Sequence, residues 1–232
     1  MQGITKRISI FTLVFCLFLN KSNIFAVSNS NSTVYKSNSQ ESKKIALTFD
    51  DGPHPRYTSK ILEILDKYNI KATFFVIGIN AKNYPEALSQ VINMGHEIGN
   101  HTYSHGLLKT KSKEDIYREI ISTEKEISKF NGAFSKLIRP PCGMYDNELL
   151  EIAEENEYKI VLWNIDTNDW AHASSESIVS NVISKVKGGD IILFHDFISG
   201  ENNTCESLQI IIPKLLMQGY EFVTVSELLQ NI

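Results

Sequence analysis

The stretch IALTFDDGPHP, residues 45–55, runs an apolar segment directly into two adjacent acids, a glycine and two prolines. A continuous apolar run of this kind predicts a buried strand. Asp50 and Asp51 end that strand side by side, where their charges repel and enclosure costs hydration. The pair alone also fits a turn, in which an Asp caps and a Gly supplies the unusual φ. A turn needs one such acid at most, so a second role is expected for the pair.

A regular pattern recurs along the chain, in which short apolar runs are separated by longer amphipathic stretches. The predicted strands are 44–50, 72–78, 96–102, 136–141, 159–166, 191–196 and 220–225. Apolar residues recur at spacings of three and four, which predicts helices at 57–69, 113–130 and 206–219. Pro213 is expected to bend or break the last helix. The order indicates roughly seven β-then-α units and therefore a parallel sheet.

Two α/β architectures fit this order, an open doubly wound sheet and a closed or nearly closed barrel. No G-x-G-x-x-G turn or phosphate-binding loop follows any of the strands, which argues against a nucleotide-binding sheet. The C-terminal ends of the strands carry the polar residues, as in β/α barrels. These residues are Asp50, Asp51, His101, Arg139, Asp166 and His195. A barrel of about seven strands is predicted.

The N-terminus has the layout of an export signal. Lys6 and Arg7 precede an apolar run at residues 8–19, and polar residues follow. That run is shorter than the roughly 20 residues needed to span a bilayer. The predicted organisation is a signal peptide at 1–28, a Ser- and Asn-rich flexible linker at 29–43 and a catalytic domain at 44–232. The protein is therefore expected to be secreted or at the cell surface, with an uncleaved membrane anchor as the alternative.

The overall charge argues against a nucleic-acid partner. The formal net charge is −4 at pH 7, and no basic stretch is interleaved with aromatic residues. Removal of residues 1–28 would take away Lys6, Arg7 and Lys21 and no acid, which lowers the charge from −4 to −7. No nucleic acid and no nucleotide is expected to bind.

A histidine pair follows one of the predicted strands. His101 and His105 are four residues apart in NHTYSH, a spacing that can place both imidazoles on one face. Such pairs alone are usually ordinary surface or core residues. A catalytic metal site has three protein ligands and one open position, so one acid of the Asp50–Asp51 pair would complete it. The other acid would then face the bound water. Spacing alone leaves open which acid has which role.

Three further motifs end predicted strands: RPPCG at 139–143, DTNDW at 166–170 and LFH at 193–195. A buried Arg139 near two carboxylates would keep one ionised. His195 beside an acid would be a competent proton donor. Taken with TFDDGP and HTYSH, these motifs resemble the five motifs of the polysaccharide deacetylases, carbohydrate esterase family 4, also called the NodB-homology family. The resemblance covers about residues 44–228 and implies a distorted (β/α) barrel.

The resemblance also implies a role for each matching residue. Asp51, His101 and His105 would bind one divalent metal, expected to be Zn²⁺, with Co²⁺ or Mn²⁺ possible. Asp50 would be the general base, oriented by Arg139, and His195 the general acid, tuned by Asp169. The expected substrate-binding residues are Trp170, Leu193, Pro140 and Cys142. At Cys142 the family more often has an aromatic residue.

The implied reaction is hydrolysis of N-acetyl groups on an extracellular amino-sugar polymer, with release of acetate. Peptidoglycan N-acetylglucosamine is the expected substrate. Chitin oligomers, an exopolysaccharide and acetylated xylan are alternatives within the family. Members that act on muramic acid tend to have Asn where Asp51 stands. A glycan-binding barrel that has lost turnover is the rival from another functional class.

Overall fold

The computed structural model describes residues 33–39, 43–130, 134–200 and 202–230. The predicted signal peptide at 1–28 lies outside these ranges, so its prediction stays a prediction. Within them, no helix combines the length and the apolar character needed to cross a membrane.

Strands and helices alternate along most of the described chain. The strands are β1 (Val34–Tyr35), β2 (Lys44–Asp50), β3 (Thr73–Val76), β4 (Glu97–Asn100), β5 (Phe134–Ile138), β6 (Lys159–Val161), β7 (Ile165–Asp166), β8 (Ile191–His195) and β9 (Glu221–Phe222). The helices are α1 (Tyr57–Lys67), α2 (Gly78–Asn83), α3 (Pro85–Asn93), α4 (Lys113–Ile127), α5 (Asn147–Glu155), α6 (Ser175–Lys185), α7 (Thr204–Met217) and α8 (Val225–Leu228).

The described strands form a nine-stranded sheet that curls into a distorted barrel. Eight strands follow one another in the order β1-β6-β5-β4-β3-β2-β8-β7, and β9 pairs with β2 off this path. Every pairing between strands is parallel. Only residues 162–164 connect β6 to β7, although these strands lie towards opposite ends of the order. So short a connection requires the sheet to curl until its ends nearly meet, which confirms the predicted α/β barrel.

Alternation along β2 explains what fills the barrel. Ile45, Leu47 and Phe49 belong to the large apolar cluster that includes residues of the surrounding helices. Ala46 belongs to a separate cluster with Phe75, Leu137 and Val161, the interior of the barrel. Because side chains alternate along a strand, Asp50 has the same orientation as Ala46 and projects into the barrel.

The predicted flexible linker at 29–43 is wrong at residues 33–39. Val34–Tyr35 pairs with β6, and Tyr35 is buried in the interior cluster. Asn38 is also buried and donates a hydrogen bond to the carbonyl of Leu228 (2.7 Å). This short segment crosses from β6 to the start of β8, where Ser37 forms an antiparallel bridge with Asp190. It therefore helps to close the barrel, while residues 29–32 and 40–42 lie outside the described ranges.

Two other predicted elements differ from the structure. The single strand predicted at 159–166 is two strands, β6 and β7, which lie in different parts of the sheet. Pro213 does not break its helix, since α7 continues through it from Thr204 to Met217.

Candidate active site

The C-terminal ends of neighbouring strands place the predicted catalytic residues next to one another. Asp50 on β2 pairs in register with His195 on β8. His101 follows β4, and its backbone N–H donates to the carbonyl of Val76 at the end of β3 (2.9 Å). Arg139 follows β5, and its N–H donates to the carbonyl of Asn100 (2.9 Å). The parallel register therefore gathers side chains that are far apart in the sequence.

The two adjacent acids point to different partners. Asp51 has a φ of 77°, a left-handed conformation that Asp tolerates better than most residues. This turn directs Asp50 towards Arg139 (2.7 Å) and Asp51 towards His105 (3.2 Å). Gly52 follows, where any Cβ would overlap the carboxylate of Asp196. The glycine thus belongs to the turn, while the acids face the site.

Asp51, His101 and His105 form a three-residue group with the donor set of a metal site. Their candidate ligand atoms all lie within 4.8 Å of one another. Oδ1 of Asp51 is 3.4 Å from Nε2 of His101 and 3.2 Å from Nε2 of His105. This oxygen is buried and has no hydrogen-bond partner among the described residues. Because an unpaired buried oxygen is costly, its position between two imidazoles fits a bound cation.

The two histidines are held differently. His101 is 2% exposed, and its Nδ1 is 2.7 Å from the carbonyl oxygen of Arg139. That contact orients the ring and leaves Nε2 facing the acids. Burial lowers the pKa of His101, but the charges of Asp50 and Asp51 outweigh it and raise the pKa overall. Burial and the proximity of His101 lower the pKa of His105.

Arg139 is fully buried and joins Asp50 to the barrel wall. Its Nη1 donates to Oδ1 of Asp50 (2.7 Å) and to the hydroxyl of Thr48 (2.8 Å). Nε and Nη2 donate to the carbonyls of Val161 (3.1 Å) and Leu162 (3.0 Å), where β6 ends. The guanidinium therefore offers Asp50 a fixed positive charge and holds its carboxylate in one orientation.

His195 lies against Asp169, as the sequence predicts. Its Nδ1 is 2.8 Å from Oδ1 of Asp169, and Oδ2 of the same carboxylate accepts from the backbone N–H of His195 (2.8 Å) and the hydroxyl of Thr204 (2.7 Å). Burial alone would lower the pKa of His195, but Asp169, with Asp50 and Asp51, raises it to about 9. The imidazole is thus held protonated at neutral pH.

A cavity of about 340 Å³ opens over these residues. Its lining comprises Asp50, Asp51, His101, His105, Cys142, Trp163, Asp166, Trp170, Leu193 and His195. Pro140 is buried, is absent from the lining, and accepts a hydrogen bond from Gly143 (2.9 Å).

 Of the eleven predicted site residues, eight line the cavity, Arg139 and Asp169 contact two of those eight from behind, and Pro140 is not part of the lining.

The cavity also contains two residues that were not predicted to be part of the site. Trp163 lies inside the apolar run predicted as one strand, and the break between β6 and β7 turns its side chain to the cavity. Asp166 accepts a hydrogen bond from Nε1 of Trp170 (3.2 Å), and it orients this exposed indole. The polar end of a strand was the available signal for Asp166, whereas nothing in the sequence pattern marks Trp163.

Comparison with known proteins gives a consistent result. The family model for polysaccharide deacetylase matches residues 37–161. The chain is 43% identical over 190 residues to a peptidoglycan-N-acetylglucosamine deacetylase of Bacillus cereus, covering 81% of this chain and 89% of that protein. It is 40% identical over 186 residues to the peptidoglycan-N-acetylmuramic acid deacetylase PdaC of Bacillus subtilis, covering 80% of this chain and 38% of that protein.

A solved structure is similar over nearly the whole described domain. The crystal structure of the Bc1960 peptidoglycan N-acetylglucosamine deacetylase has a TM-score of 0.81 and 38% sequence identity to this chain. The match covers 87% of this chain and 94% of that one.

Proposed function

The chain belongs to the polysaccharide deacetylase family of hydrolases, and we propose that it removes N-acetyl groups from peptidoglycan N-acetylglucosamine. The observation that carries this proposal is the complete set of metal-ligating, basic and acidic side chains around one cavity. A glycan-binding barrel without turnover would have no need for a buried Arg139–Asp50 pair beside a group that can ligate a metal.

Asp50 is proposed as the general base. The carboxylate is 3% exposed and paired with a guanidinium that cannot itself accept a proton. Arg139 fixes the orientation of Asp50, so that the carboxylate can take a proton from the attacking water.

His195 is proposed as the general acid. Its ring is held by Asp169 on one side, and its raised pKa of about 9 keeps the proton in place at neutral pH. As the amide carbon–nitrogen bond breaks, His195 would protonate the departing nitrogen, which leaves as the free amine of the sugar.

Asp51, His101 and His105 are proposed to hold one divalent cation, with Zn²⁺ favoured by a donor set of two imidazoles and one carboxylate. Such an ion would supply Lewis acidity for the acetyl carbonyl and would make a nearby water easier to deprotonate. The protein fixes the ligands at the ends of β2 and β4.

The remaining lining forms the proposed acetyl and sugar pocket. Leu193 is 2% exposed and Trp170 is 54% exposed, so the first suits a small methyl group and the second suits the face of a sugar ring. Cys142 lies in the same lining with a φ of 56°. A backbone N–H near Cys142 is proposed to stabilise the oxyanion.

The site of action is proposed to be outside the cell membrane. Residues 1–28 have the pattern of a signal peptide, and peptidoglycan is named as the substrate of similar proteins.

Acetate release from peptidoglycan, chitin oligomers and acetylated xylan tests the proposal. Asp50→Asn serves as the inactive control. Mass spectrometry of muropeptides then separates acetyl loss at glucosamine from loss at muramic acid. Release from glucosamine by the native protein alone is expected. Release only from muramic acid, chitin or xylan would overturn the substrate assignment, and release from none would favour a binding protein.

A further inference from the structure

Glu119 contacts the loop that carries one of the proposed metal ligands. It lies on α4, outside the barrel, and its carboxylate accepts hydrogen bonds from the backbone N–H groups of Tyr103 (3.0 Å) and Ser104 (2.8 Å). It also accepts from the hydroxyl of Ser104 (2.7 Å) and from Nζ of Lys111 (3.1 Å). The single carboxylate of Glu119, whose side chain is 12% exposed, thus binds two consecutive residues between His101 and His105.

The loop needs such support because its backbone is in an uncommon conformation. Thr102 has a φ of 65° and His105 a φ of 56°, both in the left-handed region that non-glycine residues rarely occupy. Local conformations of this kind persist only when the surroundings hold them.

The opposite side of the loop is held by α2. The N–H groups of Gly78 and Ile79, at the start of that helix, donate to the carbonyls of Thr102 (2.9 Å) and Tyr103 (3.0 Å). Residues 102–104 are therefore fixed between a helix terminus that binds their carbonyls and a carboxylate that binds their N–H groups.

His105 depends on this loop more than His101 does. The ring of His101 is oriented by the carbonyl of Arg139. In the described part of the chain, the polar contact of His105 is with Asp51, through Nε2, and no protein group hydrogen-bonds its Nδ1. The position of the His105 ring therefore follows from the backbone that Glu119 holds.

We infer that Glu119 is a positioning residue for the metal site, which acts by fixing the loop that presents His105 to the cation. The inference rests on the proposed metal site and adds to it a residue that touches neither metal nor substrate. Its four hydrogen bonds are charge-assisted, which makes them stronger than bonds to a neutral amide.

A double-mutant cycle on zinc affinity tests this role. The variants are Glu119→Gln, His105→Ala and their combination, with Glu114→Gln as a matched control at an exposed position of the same helix. Glu119→Gln is expected to raise the Kd for Zn²⁺ by about 10- to 100-fold. In the His105→Ala background the same change is expected to have little further effect, because the ligand it positions is already gone. Ser104→Ala, which removes one of the four bonds, is expected to give a smaller loss.

The outcomes separate this inference from the proposed function. An equal loss of zinc affinity in both backgrounds would show a general structural effect and overturn the inference, as would native affinity in Glu119→Gln. If the native protein itself binds no zinc, the proposed metal site fails and the inference fails with it. Should Glu119→Gln not fold, Ser104→Ala is taken through the same cycle, and equal losses or no loss would count against the role.

Discussion

Arg139 and Asp50 form an ion pair inside the barrel, with Nη1 and Oδ1 2.7 Å apart and the arginine fully buried. The pair connects the end of β2 to the carbonyls at which β6 ends. It therefore has two roles, since it orients the proposed base and it links distant strands of the curled sheet.

Replacing Arg139 by Met should leave Asp50 as an uncompensated buried charge. The expected loss is about 3–5 kcal/mol in the free energy of unfolding. Adding Asp50→Asn should recover part of this loss, because the second change removes the unpaired charge. Denaturant unfolding of both single variants and the double variant measures the coupling, and strictly additive losses would show that the two groups do not stabilise one another.

Replacing Asp169 by Asn should change the pH dependence of activity. His195 must be protonated to act as an acid, so its contribution to activity is present below its raised pKa of about 9 and is lost as the pH rises through that value. Without the charge of Asp169 the pKa falls by about 1–3 units, and the alkaline limb of kcat/KM against pH moves down accordingly. Asp66→Asn, an exposed acid on α1, is the control. An unmoved alkaline limb would assign that limb to another group.

Replacing Tyr35 by Ala tests whether residues 33–39 belong to the fold. Tyr35 is 7% exposed within the interior cluster, so truncation should lower the free energy of unfolding by about 3–5 kcal/mol. The exposed neighbour Lys36 is the control, and Lys36→Ala should change the free energy of unfolding by less than about 0.5 kcal/mol. Equally small effects from both changes would show that residues 33–39 do not stabilise the fold and belong to the flexible linker that their composition suggests.

The fold class was predictable because apolar runs and helical periodicity are local signals. Two strand ends were also visible, since Asp50 and His195 follow apolar runs directly. In contrast, β1 is two residues long in a Ser- and Asn-rich segment, and its place depends on pairing with β6 rather than on its own composition.

The break between β6 and β7 was not predictable for a related reason. The run from Lys159 to Asp166 is mostly apolar and contains no turn signal, but the curl of the sheet pairs its first half with β5 and its second half with β8. Trp163 reaches the cavity only because of that break. Glu119 was likewise hidden, because its contacts with Tyr103 and Ser104 depend on how α4 packs beside the loop.

The most direct test of the proposed mechanism is to measure zinc content and acetate release on the same sample of Asp50→Asn. The division of roles between the adjacent acids predicts one zinc per chain, as in the native protein, together with a loss of turnover of about 10²- to 10⁴-fold. Loss of the zinc along with the activity would make Asp50 a ligand, and undiminished acetate release would show that it is not the base.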